Sequence, residues 1–158
     1  PHSPSGAHPL TSQFEPLIGA DLGVSRWFDT TQADVDAFAE VVGDRGWIHN
    51  DVKASAAGPY GGTLLQGFFM LGCLHRMARD MDLPTEGVLN RFNYGFDRVR
   101  FVSPVHTGTR IRGRFRITGV ETRDGGDDLV RTNAVVEAEG YERPALVADW
   151  LFYVRYTS

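Results

Sequence analysis

Among its 158 residues the chain has one cysteine, Cys73. No intrachain disulfide can form, so packing alone must hold the fold, which suits a reducing cytoplasm, the expected location. There is no apolar run of the roughly 18 residues a membrane-spanning helix needs, and no membrane partner is expected. Positive charge is not in excess: the net charge is -4, which argues against a general nucleic-acid binder. Residues before Phe14 lack the basic start and apolar middle of a signal peptide, and are rich in Pro, Ser and His. Residues 1–13 are expected to be a flexible leader, and 14–158 a single domain. The common catalytic signatures are missing too. The chain has no phosphate-binding P-loop, no glycine-rich dinucleotide fingerprint, no serine nucleophile elbow, no paired-histidine zinc helix and no paired-cysteine motif. The five histidines are scattered, so no metal site is expected.

What remains is an ordinary globular pattern, 42% apolar and 23% charged, with enough apolar residues for a core. Residues 22–29 read as a first strand. Thr31 with Asp34 three residues on reads as a helix start, and Val35, Phe38, Ala39 and Val42 then recur at helical spacing up to Gly43, a natural stop. Residues 44–62 read as a loop because of Gly46, Gly58, Pro59, Gly61 and Gly62. The run from Leu64 to Leu74 is apolar nearly all round, which predicts a helix buried on most sides. The rest alternates as strands. In residues 92–102 the apolar phase changes, which predicts a bulge near Asp97. In residues 109–119, Ile111, Phe115 and Ile117 face one way and Arg110, Arg112, Arg114 and Arg116 the other. Asp124 to Asp127 is a turn, followed by strands with inner faces Val130, Thr132, Ala134, Val136, Ala138 and then Leu146, Ala148, Trp150, Phe152, Val154. Such an order can wrap an antiparallel sheet around one central helix, an α+β architecture.

Two features could carry chemistry. Asp44 and His49 lie five positions apart just past a helix end, where both could reach one water, one accepting a proton and the other donating. Equally, Asp44 could cap the loop and His49 be a packed polar residue. The glycine-rich stretch from Gly61 to Gly67 leads into the buried helix, whose free N–H groups and dipole could hold a developing oxyanion. It could also serve only as a tight turn. Cys73 sits in the apolar run, where packing is the commoner role. The four alternating arginines are either a solvated strand face or a patch for nucleic acid or phosphate groups.

These segments together resemble the MaoC-like dehydratase family, the (R)-specific enoyl-CoA hydratases. The matching text is Phe38-Ala-Glu-Val-Val-Gly-Asp44-Arg-Gly-Trp-Ile-His49-Asn-Asp51, then Gly58-Pro-Tyr-Gly-Gly-Thr-Leu-Leu-Gln66-Gly67-Phe, then Asn93-Tyr-Gly-Phe-Asp-Arg-Val-Arg-Phe101-Val-Ser-Pro104-Val. The Trp-Ile-His and Asn-Tyr-Gly wording is similar to the single-domain NodN-like branch, and the resemblance spans roughly residues 15 to 156. It implies a hot-dog fold, an antiparallel sheet wrapped around a buried helix, and a homodimer. It implies reversible addition of water to a trans-2-enoyl thioester, with no cofactor beyond the substrate's own coenzyme A. By the same resemblance Asp44 and His49 activate the water, and the Gly67 N–H holds the thioester carbonyl. Trp47, Tyr60, Gln66, Asn93 and Tyr94 are the expected substrate-binding residues. The chain departs from the family pattern where Gln66 replaces a common histidine, where Trp47 replaces a proline, and where His75 falls at the place of a serine. Alternatives are a specialised hot-dog dehydratase acting on a carrier-protein thioester or a non-thioester acid, and a non-catalytic acyl-binding subunit.

Overall fold

The computed structural model describes residues 11–157, and the expected leader falls mostly outside them. Within its remaining residues, Ser12 donates to the Asp128 carboxylate at 2.6 Å and Gln13 to the Glu86 carbonyl at 3.0 Å. A single antiparallel sheet of five strands runs through the described residues, in the order β1-β3-β4-β5-β2. The strands are β1 (Asp21–Val24), β2 (Val88–Phe101), β3 (Ile111–Thr122), β4 (Asp128–Ala138) and β5 (Leu146–Tyr156). Four α-helices come before β2: α1 (Gln32–Val42), α2 (Trp47–Asn50), α3 (Val52–Ala57) and α4 (Gly67–Ala78).

Local chemistry sets most boundaries. Thr31 caps α1 in a reciprocal capping box with Asp34, and Gly43 ends the helix at φ 77, a left-handed conformation glycine adopts without strain. The first strand is shorter than predicted, because pairing with β3 is irregular between Asp21 and Val24; the chain then touches β3 again through Phe28 opposite Ile111. The expected loop over 44–62 contains two short helices, α2 and α3. The apolar run also starts differently. Leu64 and Leu65 are extended, held by Leu64 N–H to the Ile48 carbonyl and Leu65 N–H to the Val105 carbonyl, both at 2.8 Å. The helix begins three residues later than the pattern suggests, with Gln66 as its N-cap.

The strands follow the predicted alternation. In β3 the inward residues Ile111, Gly113, Phe115 and Ile117 are buried, while the arginine row faces out. That row is engaged by neighbours: Arg110 pairs with Glu139, Arg112 with Glu137, Arg114 with Glu137 and Asp21, and Arg116 donates to the Gly19 carbonyl. The pairing in β2 slips between Phe96 and Arg98, at the predicted bulge, and twice more nearer its start.

The larger of two core clusters among the described residues sits between α4 and the sheet. Met70, Leu74 and Met77 pack with Phe115, Ala134, Val136, Leu146, Ala148 and Trp150. The side of α4 away from the sheet is open in the single chain, contrary to a helix buried on most sides: Phe68 is 66% exposed. Small residues let the helix come close. A Cβ added to Gly113 would lie 2.7 Å from the Phe115 ring and 3.0 Å from the Met77 Cβ. The strand pairs Ala134 with Ala148 directly beneath. Gly113→Ala is therefore expected to cost about 1–3 kcal/mol of stability in equilibrium urea unfolding. The same change at Gly119, where a Cβ would meet the flexible Arg131 side chain at 3.5 Å, is expected to cost far less.

Candidate active site

The site forms where α1 ends, α2 turns back and α4 begins. Left-handed Gly43 releases the chain into Asp44, and Gly46 opens α2. Gly46 lies between the two candidate side chains: a Cβ there would sit 3.7 Å from His49 Cδ2 and 3.8 Å from Asp44 Oδ1. His49 Nε2 and Asp44 Oδ2 are 3.9 Å apart, too far for a direct hydrogen bond. Asp44 is half exposed, at 51%, whereas the His49 side chain is 14% exposed.

The His49 ring has a defined orientation. Its Nδ1 lies 2.7 Å from the Leu64 carbonyl, which can only accept, so Nδ1 carries the proton. In the neutral ring Nε2 is then an acceptor facing Asp44. The backbone bond from Leu64 N–H to the Ile48 carbonyl runs the opposite way, so α2 and the lead-in to α4 are joined twice. This brings the acid/base pair up to the start of α4, three residues before Gly67. As the first helical residue, Gly67 has no intrahelical acceptor for its N–H, and the helix dipole adds positive potential there.

A polar network surrounds this joint. Gln32, the first residue of α1, donates to the His49 carbonyl at 2.7 Å and to Asp36 Oδ1 at 2.9 Å, and accepts from the Thr63 hydroxyl at 2.7 Å. Asn50 also donates to Asp36 Oδ1, at 2.8 Å. The Gln32 amide, and then that of Asn50, hold the Asp36 carboxyl below the usual carboxylate range.

The other expected site residues are placed as follows. Gln66 is 1% exposed; its amide donates to the Val35 carbonyl at 3.0 Å, and its Oε1 has no partner among the described residues. Trp47 opens α2 and its ring lies over Gly58, where a Cβ would be 3.2 Å away. Tyr60 is held by its carbonyl, which accepts from His106 Nε2 at 2.6 Å. Asn93 and Tyr94 are not brought to this place within one chain. Asn93 accepts from the Trp150 indole at 3.2 Å and lines a cavity of about 170 Å³ with His75, Ala78 and Arg79 at the far end of α4. Twelve helical residues separate the two ends, roughly 16 Å. Tyr94 stacks on Tyr153, with ring centroids 6.3 Å apart. Among the described residues no cluster of three or more His, Cys, Asp or Glu could hold a metal.

Sequence reasoning gave no individual role to Gln32, Thr63, His106 and Phe101, although Thr63 and Phe101 stand within the quoted motifs. The last closes over the helix start, since a Cβ on Gly67 would lie 3.0 Å from its ring. Its place at the end of β2 gave no local signal of that contact.

Comparison with known proteins places the chain in a family. The family profile described as "MaoC like domain" matches residues 13–139. The chain belongs to the MaoC-like dehydratase family. It is 39% identical over 140 residues to the 3-hydroxyacyl-thioester dehydratase Z of Mycobacterium tuberculosis, covering 89% of this chain and 91% of that protein. It is also 39% identical over 142 residues to nodulation protein N of Rhizobium meliloti, covering 89% and 88%. In fold it is similar to the (R)-hydratase PhaJ1 of Pseudomonas aeruginosa, with a TM-score of 0.70 at 19% identity, over 89% of this chain and 83% of that one. The MaoC-like chain has the hot-dog fold and is an enzyme of the hydratase/dehydratase class, a hydro-lyase.

Gly67→Ala is expected to destabilise the MaoC-like domain through the Phe101 ring. Combined with Phe101→Leu the losses should fall short of additive by about 0.5–2 kcal/mol, as measured in a double-mutant cycle of urea unfolding.

Proposed function

We propose that this chain catalyses reversible addition of water to a trans-2-enoyl thioester of coenzyme A, giving the (R)-3-hydroxyacyl thioester. The observation that carries the proposal is the pair of facing acceptors, His49 Nε2 and Asp44 Oδ2, 3.9 Å apart, with the His49 ring tied to the Leu64 carbonyl three residues before Gly67 opens α4. A water about 2.8 Å from each atom bridges that gap with ordinary geometry. On attack, the water oxygen bonds the β-carbon and the double-bond electrons move toward the carbonyl. The Gly67 N–H and the α4 dipole stabilise the resulting enolate oxygen. One member of the pair takes the water proton, and a proton from the pair is delivered to the α-carbon, so atoms and charge balance. Dehydration runs the same steps backwards. The name of the Mycobacterium tuberculosis relative, a 3-hydroxyacyl-thioester dehydratase, supports this substrate class. The reaction needs no cofactor beyond the substrate's coenzyme A, and the proposed compartment is the cytoplasm; no described helix is long and apolar enough to cross a membrane.

Crotonyl-CoA and a longer enoyl-CoA should both be tested by loss of enoyl absorbance. Asp44→Asn and His49→Ala are each expected to lower kcat by about 10²-fold or more with unfolding temperature near that of the parent. Failure to hydrate either substrate, together with unchanged turnover of every thioester in both variants, would overturn the proposal.

The functional unit proposed here is a homodimer. Among the described residues β2 pairs with β5 alone, which leaves its other edge open along 14 residues. Leu89, Phe92, Tyr94, Phe96 and Phe101 on that strand, and Phe68 on α4, are exposed large apolar groups. Sedimentation should give twice the chain mass of 17.5 kDa, and a single species at the chain mass would refute the dimer.

A further inference from the structure

We infer that Gln32 is a positioning residue for this reaction, an amide that sets the spacing between the acid/base group and the oxyanion-holding helix start. The inference rests on the hydratase reading above. A glutamine side chain offers two N–H donors and one carbonyl acceptor. All three are used here: the donors meet the His49 carbonyl and Asp36 Oδ1, and the acceptor takes the Thr63 hydroxyl. The partners fix the orientation of the amide, because a flipped group would set its oxygen against two other acceptors.

The residues it joins belong to opposite halves of the site. His49 is the acid/base half. Thr63 begins the extended segment whose Leu64 carbonyl receives His49 Nδ1–H and which runs through Gln66 to Gly67. Thr63 is buried, and Gln32 is half-buried between the halves. Gln32 is in turn placed by the Thr31–Asp34 capping box, because it is the residue directly after the N-cap. A sequence feature at the start of α1 thus reaches the chemistry through one side chain. Glutamate keeps the size but puts a carboxylate oxygen against the His49 carbonyl and Asp36; leucine keeps the bulk but leaves the Thr63 hydroxyl without its acceptor.

The test measures Gln32→Leu, Gln32→Glu, Thr63→Val and Gln32→Leu/Thr63→Val in the full chain, with crotonyl-CoA as substrate. Gln32→Leu and Gln32→Glu are expected to lower kcat about tenfold while KM stays within about twofold, since a small misplacement of a reacting group acts on the chemical step. The double variant should be no slower than Gln32→Leu alone, because both changes break one link. Nitrogen NMR of the His49 ring gives a readout independent of turnover: the parent should show one tautomer protonated at Nδ1, and Gln32→Leu a mixture. Unchanged kcat with an unchanged His49 spectrum in folded variants, or additive losses in the double variant, overturns the inference. Loss of the hydratase reading itself would show separately, as turnover insensitive to Asp44→Asn and His49→Ala.

Discussion

Met70, Leu74 and Met77 can reach the sheet because Gly113, Ala134 and Ala148 leave room beneath them. This close approach is the constraint on which the other parts rely. It fixes the height of α4 above the strands, and with it the place of the Gly67 N–H and the angle at which the preceding segment arrives. A wider separation would leave voids in a core that packs at crystal-like density, and a tighter one would drive Met77 into the Phe115 ring. The outer face of the same strands has no such demands. There the arginines pair with Glu137, Glu139 and Asp21, contacts worth little singly at an exposed surface.

The proposed chemistry depends on how the two halves of the candidate site are joined. A helix start by itself offers an orphan N–H, and a histidine near a carboxylate offers proton transfer. Neither is catalytic unless both reach one substrate. The reciprocal bonds between α2 and the α4 lead-in, Leu64 N–H to Ile48 and His49 Nδ1–H to Leu64, make that placement rigid. They also leave His49 Nε2 as the free ring atom, so the same bond that positions the ring selects its tautomer.

Much of this was legible in the sequence where the signal is local. The capping box at Thr31 and Asp34, the stop at Gly43, the alternation of β3 and the bulge at Phe96–Arg98 each leave a mark within a few residues. The spacing of Asp44 and His49 made them candidates with the bland reading still open, and the ordered motifs gave the family. Three kinds of feature were hidden. Helices of four and six residues, α2 and α3, are too short to show a period. Leu64 and Leu65 look helical by composition, and only contacts with Ile48 and Val105, well away in sequence, make them extended. Gln32, Thr63, His106 and Phe101 act through partners 17 to 46 positions away or through a tertiary approach, which single-residue patterns do not record. Asn93 and Tyr94 looked equivalent as neighbours in one motif. In the fold Asn93 meets the Trp150 indole and Tyr94 stacks on Tyr153.

The sheet order also says something about how the chain comes to be folded. Strand β2 is made before β3, β4 and β5, yet among the described residues its sole partner is the last of them, with pairs running from Phe101 opposite Leu146 to Val88 opposite Tyr156. During synthesis β2 therefore emerges carrying Leu89, Phe92, Tyr94, Phe96 and Phe101 with nothing to pair against until the end of the domain is translated. Loop-closure entropy must be met late and in one step, a recipe for slow folding and for transient exposure to aggregation or chaperones. A nascent chain stopped short of Leu146 would lack the partner of β2 and leave β4 paired with β3 on one side only, so β5 is the strand that closes the sheet.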